Sequence, residues 1–60
     1  MKWYVIATHW DDEKKAQAKY IAGEFPKAHL AYIFKKAYEE EFSAHPFIVS
    51  ENELLKALEK

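Results

Sequence analysis

Cysteine and arginine are absent from this 60-residue chain, glycine occurs once and proline twice. Each absence removes a class of chemistry. Without Cys there is no disulfide, no thiolate metal site and no thiol nucleophile. Without Arg the chain lacks the side chain that grips phosphate and guanine edges bidentately. Its net charge of -1 adds no electrostatic pull toward nucleic acid. A lone glycine builds neither a phosphate-cradling loop nor an oxyanion loop. No apolar run approaches the roughly 18 residues of a membrane span; the longest mostly apolar stretches are Trp3–Trp10 and Ala28–Phe34. The apolar run after Met1-Lys2 is too brief for a secretion leader and ends in Asp11-Asp12. The expectation is one cytoplasmic domain over residues 1–60, with no membrane contact and no cofactor.

What is present points to a packed core. Half the residues are hydrophobic, 17% are aromatic and 32% are charged, a balance foreign to disordered chains. Yet a chain this short buries only about 60% of its unfolded surface, and apolar burial then barely offsets conformational entropy. There are ten large aromatic rings, each of roughly 150–250 Å², and a core of this size encloses about half of them. The remainder must meet solvent or a partner.

Lys2–Trp10 is rich in aromatic and β-branched residues and reads as a strand with neither face cleanly polar. Composition then shifts abruptly. Asp11-Asp12-Glu13 suits a helix N-terminus, and Ala18, Ile21, Ala22 and Phe25 follow at helical spacing. This predicts a helix from Asp12 to Gly23 or Glu24. Pro26–Ser43 reads as a second helix, with Leu30, Ile33, Phe34, Ala37, Tyr38 and Phe42 on one face. Its charges run against the dipole, with Lys27 at the start and Glu39-Glu40-Glu41 at the end. The competing reading makes Ala28–Phe34 a strand. Pro46 ends the helical segment, Phe47-Ile48-Val49 reads as a short strand, and Ser50-Glu51-Asn52-Glu53 matches a capping box. A last helix follows with Leu54, Leu55 and Leu58 inward, and Lys56 and Lys60 suit its C-terminal end.

The expected fold is therefore α+β, of order β-α-α-β-α, with a short two-stranded antiparallel sheet covered by helices. The alternative is a β-α-β-type unit with Ala28–Phe34 as a strand. With two strands, the first keeps an open edge beside Trp3 and Tyr4 that invites pairing.

Candidate chemistry is sparse. His9, Asp11, Asp12 and His45, with Glu41 nearby, have the residue types of a Zn or Mn site, but their spacing fits no ligand motif and Asp11 suits a cap. Asp11, Asp12 and Glu13 are adjacent acids without the distinct environments that acid–base work requires. Ser43 and Ser50 are the only serines, and Ser50 is taken as a cap. Lys14, Lys15, Lys19, Lys35 and Lys36 read as a solvated basic face, and Glu39–Glu41 as a solvated acidic one.

No catalytic, cofactor-binding or metal-ligating residue is assigned. The excess of Trp and Tyr, types enriched at binding hot spots, points instead to a non-enzymatic protein-interaction module. Its surface is expected at Trp3, Tyr4, Trp10, Tyr20 and Tyr32 or along the first strand's edge. A module of this kind would act as an accessory or inhibitor protein on a protein partner of unknown identity, and would self-associate as a homodimer. A small nucleic-acid-associated regulator is the alternative, disfavoured by the missing Arg. A metal-dependent enzyme ranks last.

Overall fold

In the computed structural model, residues 1–58 are described; Lys60, expected to favour the last helix's dipole, lies outside them. Three strands form one sheet: β1 (Trp3–Asp11), β2 (Ala16–Phe25) and β3 (Phe47–Ser50). One long helix, α1 (Ala28–Phe42), joins β2 to β3. A 3-10 turn (Glu51–Glu53) leads into a short helix, α2 (Leu54–Leu58). The sheet order is β2-β1-β3, and β1 is antiparallel to both neighbours. The fold class is α+β, as the composition and the mixed periodicities imply.

The expected order needs correction. The segment read as a helix from Asp12 to Glu24 is instead a tight turn followed by β2, so the chain runs β-β-α-β-α. The two-stranded sheet becomes three-stranded. The reason lies in β1. Its first five residues are apolar and at least half-buried on both faces, and the backbone of such a strand needs partners on its edges. β3 pairs only with Trp3–Ile6, whereas β2 aligns with β1 along its whole length, from Trp3↔Phe25 to Asp11↔Ala16. That ladder outweighs the modest helix propensity of an Ala- and Lys-containing segment.

Asp11 sets the turn. Its carboxylate Oδ1 accepts the N–H of Glu13 at 3.0 Å and that of Lys14 at 3.4 Å, and its carbonyl accepts the N–H of Lys15 at 2.8 Å. Lys15 closes the turn at φ 57, in the left-handed region. Asp caps a turn with the same hydrogen bonds it uses to cap a helix, which is why the acids looked like a helix start.

The core sits on both sides of β1. Val5 and Ala7 point to the face covered by α1 and Ile6 to the opposite face, and all three are buried. Ala31, Pro46 and Val49 are buried with them. The register skips between Val5 and Ile6, leaving Ala22 as an extra residue in β2, a β-bulge. Because of it, Lys19 (opposite Thr8) and Glu24 (opposite Tyr4) lie on the same face of the sheet despite their odd separation.

The helix expected over Pro26–Ser43 is present as α1. It begins after Lys27 and ends at Ser43, which takes φ 52 and donates its N–H to the Glu39 carbonyl at 2.9 Å. Its inward stripe is rotated from the expected one. Ala31 is buried and Phe34, Lys35 and Tyr38 are half-buried, while Leu30, Ile33, Ala37 and Phe42 remain exposed. The last turn of α1 carries no base and the first no acid. A Lys35–Glu39 pair at 2.7 Å gives the helix some local support.

The capping box also needs correction. Ser50 occupies the N-cap position of the 3-10 turn but makes no side-chain cap hydrogen bond. The turn is tied instead to the start of the chain. The Lys2 N–H donates to the Glu51 carboxylate at 3.0 Å, and the Glu51 N–H donates to the Lys2 carbonyl at 2.9 Å. This reciprocal pair anchors α2 beside the sheet.

Candidate functional site

The five expected surface residues do not form one surface. The pleat sends Trp3 and Tyr20 to the α1 side and Tyr4 and Trp10 to the other. Tyr32 stands on α1, 53% exposed and turned away from the sheet. Trp10 is 55% exposed; Trp3 and Tyr4 are half-buried. Tyr20 is fastened to the fold, its ring meeting His9 edge-on at 5.4 Å and its hydroxyl hydrogen-bonding the Tyr38 hydroxyl. That bond, then desolvation, holds the Tyr38 hydroxyl above its ordinary pKa.

The first strand's edge is paired where it was expected open, beside Trp3 and Tyr4, while Ala7–Asp11 have no strand partner on the β3 side among the described residues. β1 is the central strand, so the beginning of it that carries Trp3 and Tyr4 is paired on both sides. The long open edge belongs to β2. Among the described residues no strand pairs with its outer side over ten residues, leaving a row of N–H and C=O groups to be satisfied.

Apolar side chains flank that edge. Ile21 of β2 is 43% exposed on the face away from α1. On the α1 face, Phe34 leans over β2, stacking on Phe25 at 5.2 Å. It also lies 3.4 Å from where a Cβ on Gly23 would sit. Beyond Phe34, on the side turned away from buried Ala31, the next strip of the helix is Leu30, Ile33 and Ala37. All three are exposed, Ile33 at 61%. Helical spacing from Phe34 puts this strip on the β2 side of α1. Sequence reasoning placed Leu30 and Ile33 in the core and missed the edge. The signal available was Tyr20-Ile21, a β-favouring pair inside an otherwise helix-favouring run.

A continuous row of rings stiffens the α1 face. Phe25, Phe34, Tyr38 and Phe42 follow one another at centroid distances of 5.2, 5.8 and 4.7 Å. On the other face, the Lys19 ammonium donates to the Ala57 carbonyl at 3.0 Å and stands 6.0 Å from the Phe47 ring centroid. It thereby pins α2 to the sheet. A shallow open groove lies beside it, lined by Thr8, Lys14, Gln17, Ala18, Lys19 and Leu58.

Two of the candidate metal residues, Asp11 and His9, have structural partners. Asp11 organises the turn and His9 packs on Tyr20. Among the described residues no three His, Asp or Glu side chains converge as metal ligands. No described helix is long and apolar enough to cross a membrane. No known protein family, no curated protein and no solved structure matches this chain.

Proposed function

We propose that this protein is a non-enzymatic interaction module that binds a protein partner through the outer edge of β2. The carrying observation is the ten-residue open edge bordered by exposed Ile21 on one side and by Leu30 and Ile33 on the other. Main-chain pairing at such an edge supplies affinity, and the alternating side chains beside it supply selectivity. The residues that offered catalytic chemistry support this reading by their other duties, with Asp11 in the turn and His9 against Tyr20. An accessory or inhibitor protein would use such an edge to cover part of its target.

Single proline substitutions at successive positions from Gln17 to Ile21 test the edge. An edge strand points alternate N–H groups inward and outward. Proline at an inward position removes a ladder bond and lowers the melting temperature. At an outward position it spares the fold and blocks pairing. The expected result is that folded, outward variants lose capture of the partner seen with wild-type protein. Capture that survives every folded proline variant would contradict the proposal.

A further inference from the structure

We infer that the occupant of the β2 edge is a second copy of this chain, paired antiparallel about a two-fold axis between Ile21 and Ala22. The inference rests on the edge-binding reading above and adds the partner and the register.

Opposed residues in an antiparallel pair must share a face. In a regular strand paired with itself, that forbids an odd sum of residue numbers. The bulge at Ala22 reverses the pleat midway, so pairings across it with an odd sum become face-consistent. With the axis between Ile21 and Ala22, Lys19 meets Glu24 of the copy and Tyr20 meets Gly23. Lys19 and Glu24 lie on the same face, as do Tyr20 and Gly23. Each Lys–Glu pair then occurs twice. In the alternative that sets Lys19 against itself, like charges oppose.

The helices fit the same axis. α1 packs over β1 and β2 more than over β3. Strands are spaced about 4.8 Å apart, so a helix centred between β1 and β2 would stand about 10 Å from its copy, an ordinary helix–helix distance, and one centred over β1 about 14 Å. The strip facing the copy is Leu30, Ile33 and Ala37, with exposed Glu41 at its C-terminal end. The axis stands normal to the sheet, so the two helices run antiparallel on one face. The six-stranded sheet so formed follows the commonest closed symmetry.

Sedimentation equilibrium across a hundredfold concentration range, at low salt, tests the proposal with wild type and four variants. Wild type should be dimeric at the upper concentrations. K19E and E24K should each weaken the dimer by about tenfold; K19E also gives up the contact to the Ala57 carbonyl and E24K the ion pair to Lys2, neither of which the double variant restores, so recovery in the double variant reports the pair across the axis. The double variant K19E/E24K should recover wild-type association to within about threefold. Ile33→Lys, on the exposed helix strip and away from the sheet, should give a folded monomer. A wild-type monomer at every concentration overturns the second copy as occupant. A dimer indifferent to the charge reversals, or one that the double variant fails to restore, overturns it as well. A wild-type monomer whose partner capture is still lost on outward proline substitution would leave the edge-binding reading standing without it.

Discussion

β1 and β2 lie side by side through nine aligned pairs, yet they are strands for different reasons. β1 carries its own instructions, with aromatic and β-branched residues from Trp3 to Trp10 and three consecutive buried positions, Val5, Ile6 and Ala7. β2 has no buried residue at all. It is a strand because β1 needs a partner along its full length. A central strand is encoded in its side chains, whereas an edge strand is encoded largely in its neighbour. The same contrast explains the surface: what β1 buries, β2 leaves facing outward.

The sharpest way to break the comparison is at one opposed pair. Ile6 and Ile21 face each other across the ladder, with Ile6 0% and Ile21 43% exposed. Ile6→Ala is expected to cost about 3 kcal/mol, and Ile21→Ala well under half of that. Denaturant melts of the two variants measure the difference, and equal losses would erase the distinction between core and edge.

Gly23 lies beneath the Phe25 and Phe34 rings. A Cβ there would sit 2.8 Å from the Phe25 ring, so Gly23→Ala must push that ring off Phe34. A loss of about 1 kcal/mol is expected, read by thermal melts. A gain would show that the ring has room to move.

The turn offers the opposite sign. Lys15 holds φ 57, a conformation costly for a residue with a Cβ. Lys15→Gly should stabilise the hairpin by about 0.5 kcal/mol after the added backbone entropy is subtracted, seen as a raised denaturant midpoint.

Ser50→Ala should cost less than about 0.5 kcal/mol, below the usual value for a working N-cap, because the hydroxyl caps nothing. Glu51→Ala, which removes the acceptor of the Lys2 N–H, should cost more in the same melts. The reverse ranking would reinstate the capping box.

The smallest effect is a pH response. The hydrogen bond from Lys35 holds the Glu39 carboxyl below its ordinary pKa of 4.5, against the opposing pull of desolvation. A depressed carboxylate stabilises the fold above its unfolded pKa, and that support is lost as pH falls through the folded value. Acid titration of the melting temperature below about pH 5 should therefore be shallower in Glu39→Gln than in wild type.

How much was legible in the sequence follows from the same contrast. The strand at Trp3–Trp10, the long helix and the short strand at Phe47–Val49 all announce themselves through side chains that pack. The hairpin did not. Asp11 accepts the same backbone N–H groups in a turn as at a helix start, and Ala18, Ile21, Ala22 and Phe25 fit a helical stripe as well as a strand. The register shift at Ala22 leaves no trace in composition, yet it decides which side chains share a face with Lys19. The candidate surface was half legible. An excess of rings over core volume was visible, but its distribution over two sheet faces and one helix depended on β2 being a strand.

Amide hydrogen exchange along β2, followed residue by residue at low and high protein concentration, tests the central claim most directly. On each side of the bulge at Ala22, alternate amides of β2 point away from β1, the alternation being reset at the bulge. In dilute protein these should exchange quickly while their neighbours are protected by the ladder. At high concentration, or with a partner bound, the outward set should become protected too, with the amides of α2 unchanged. Outward amides that exchange equally fast under all three conditions would contradict an interaction through the edge of β2.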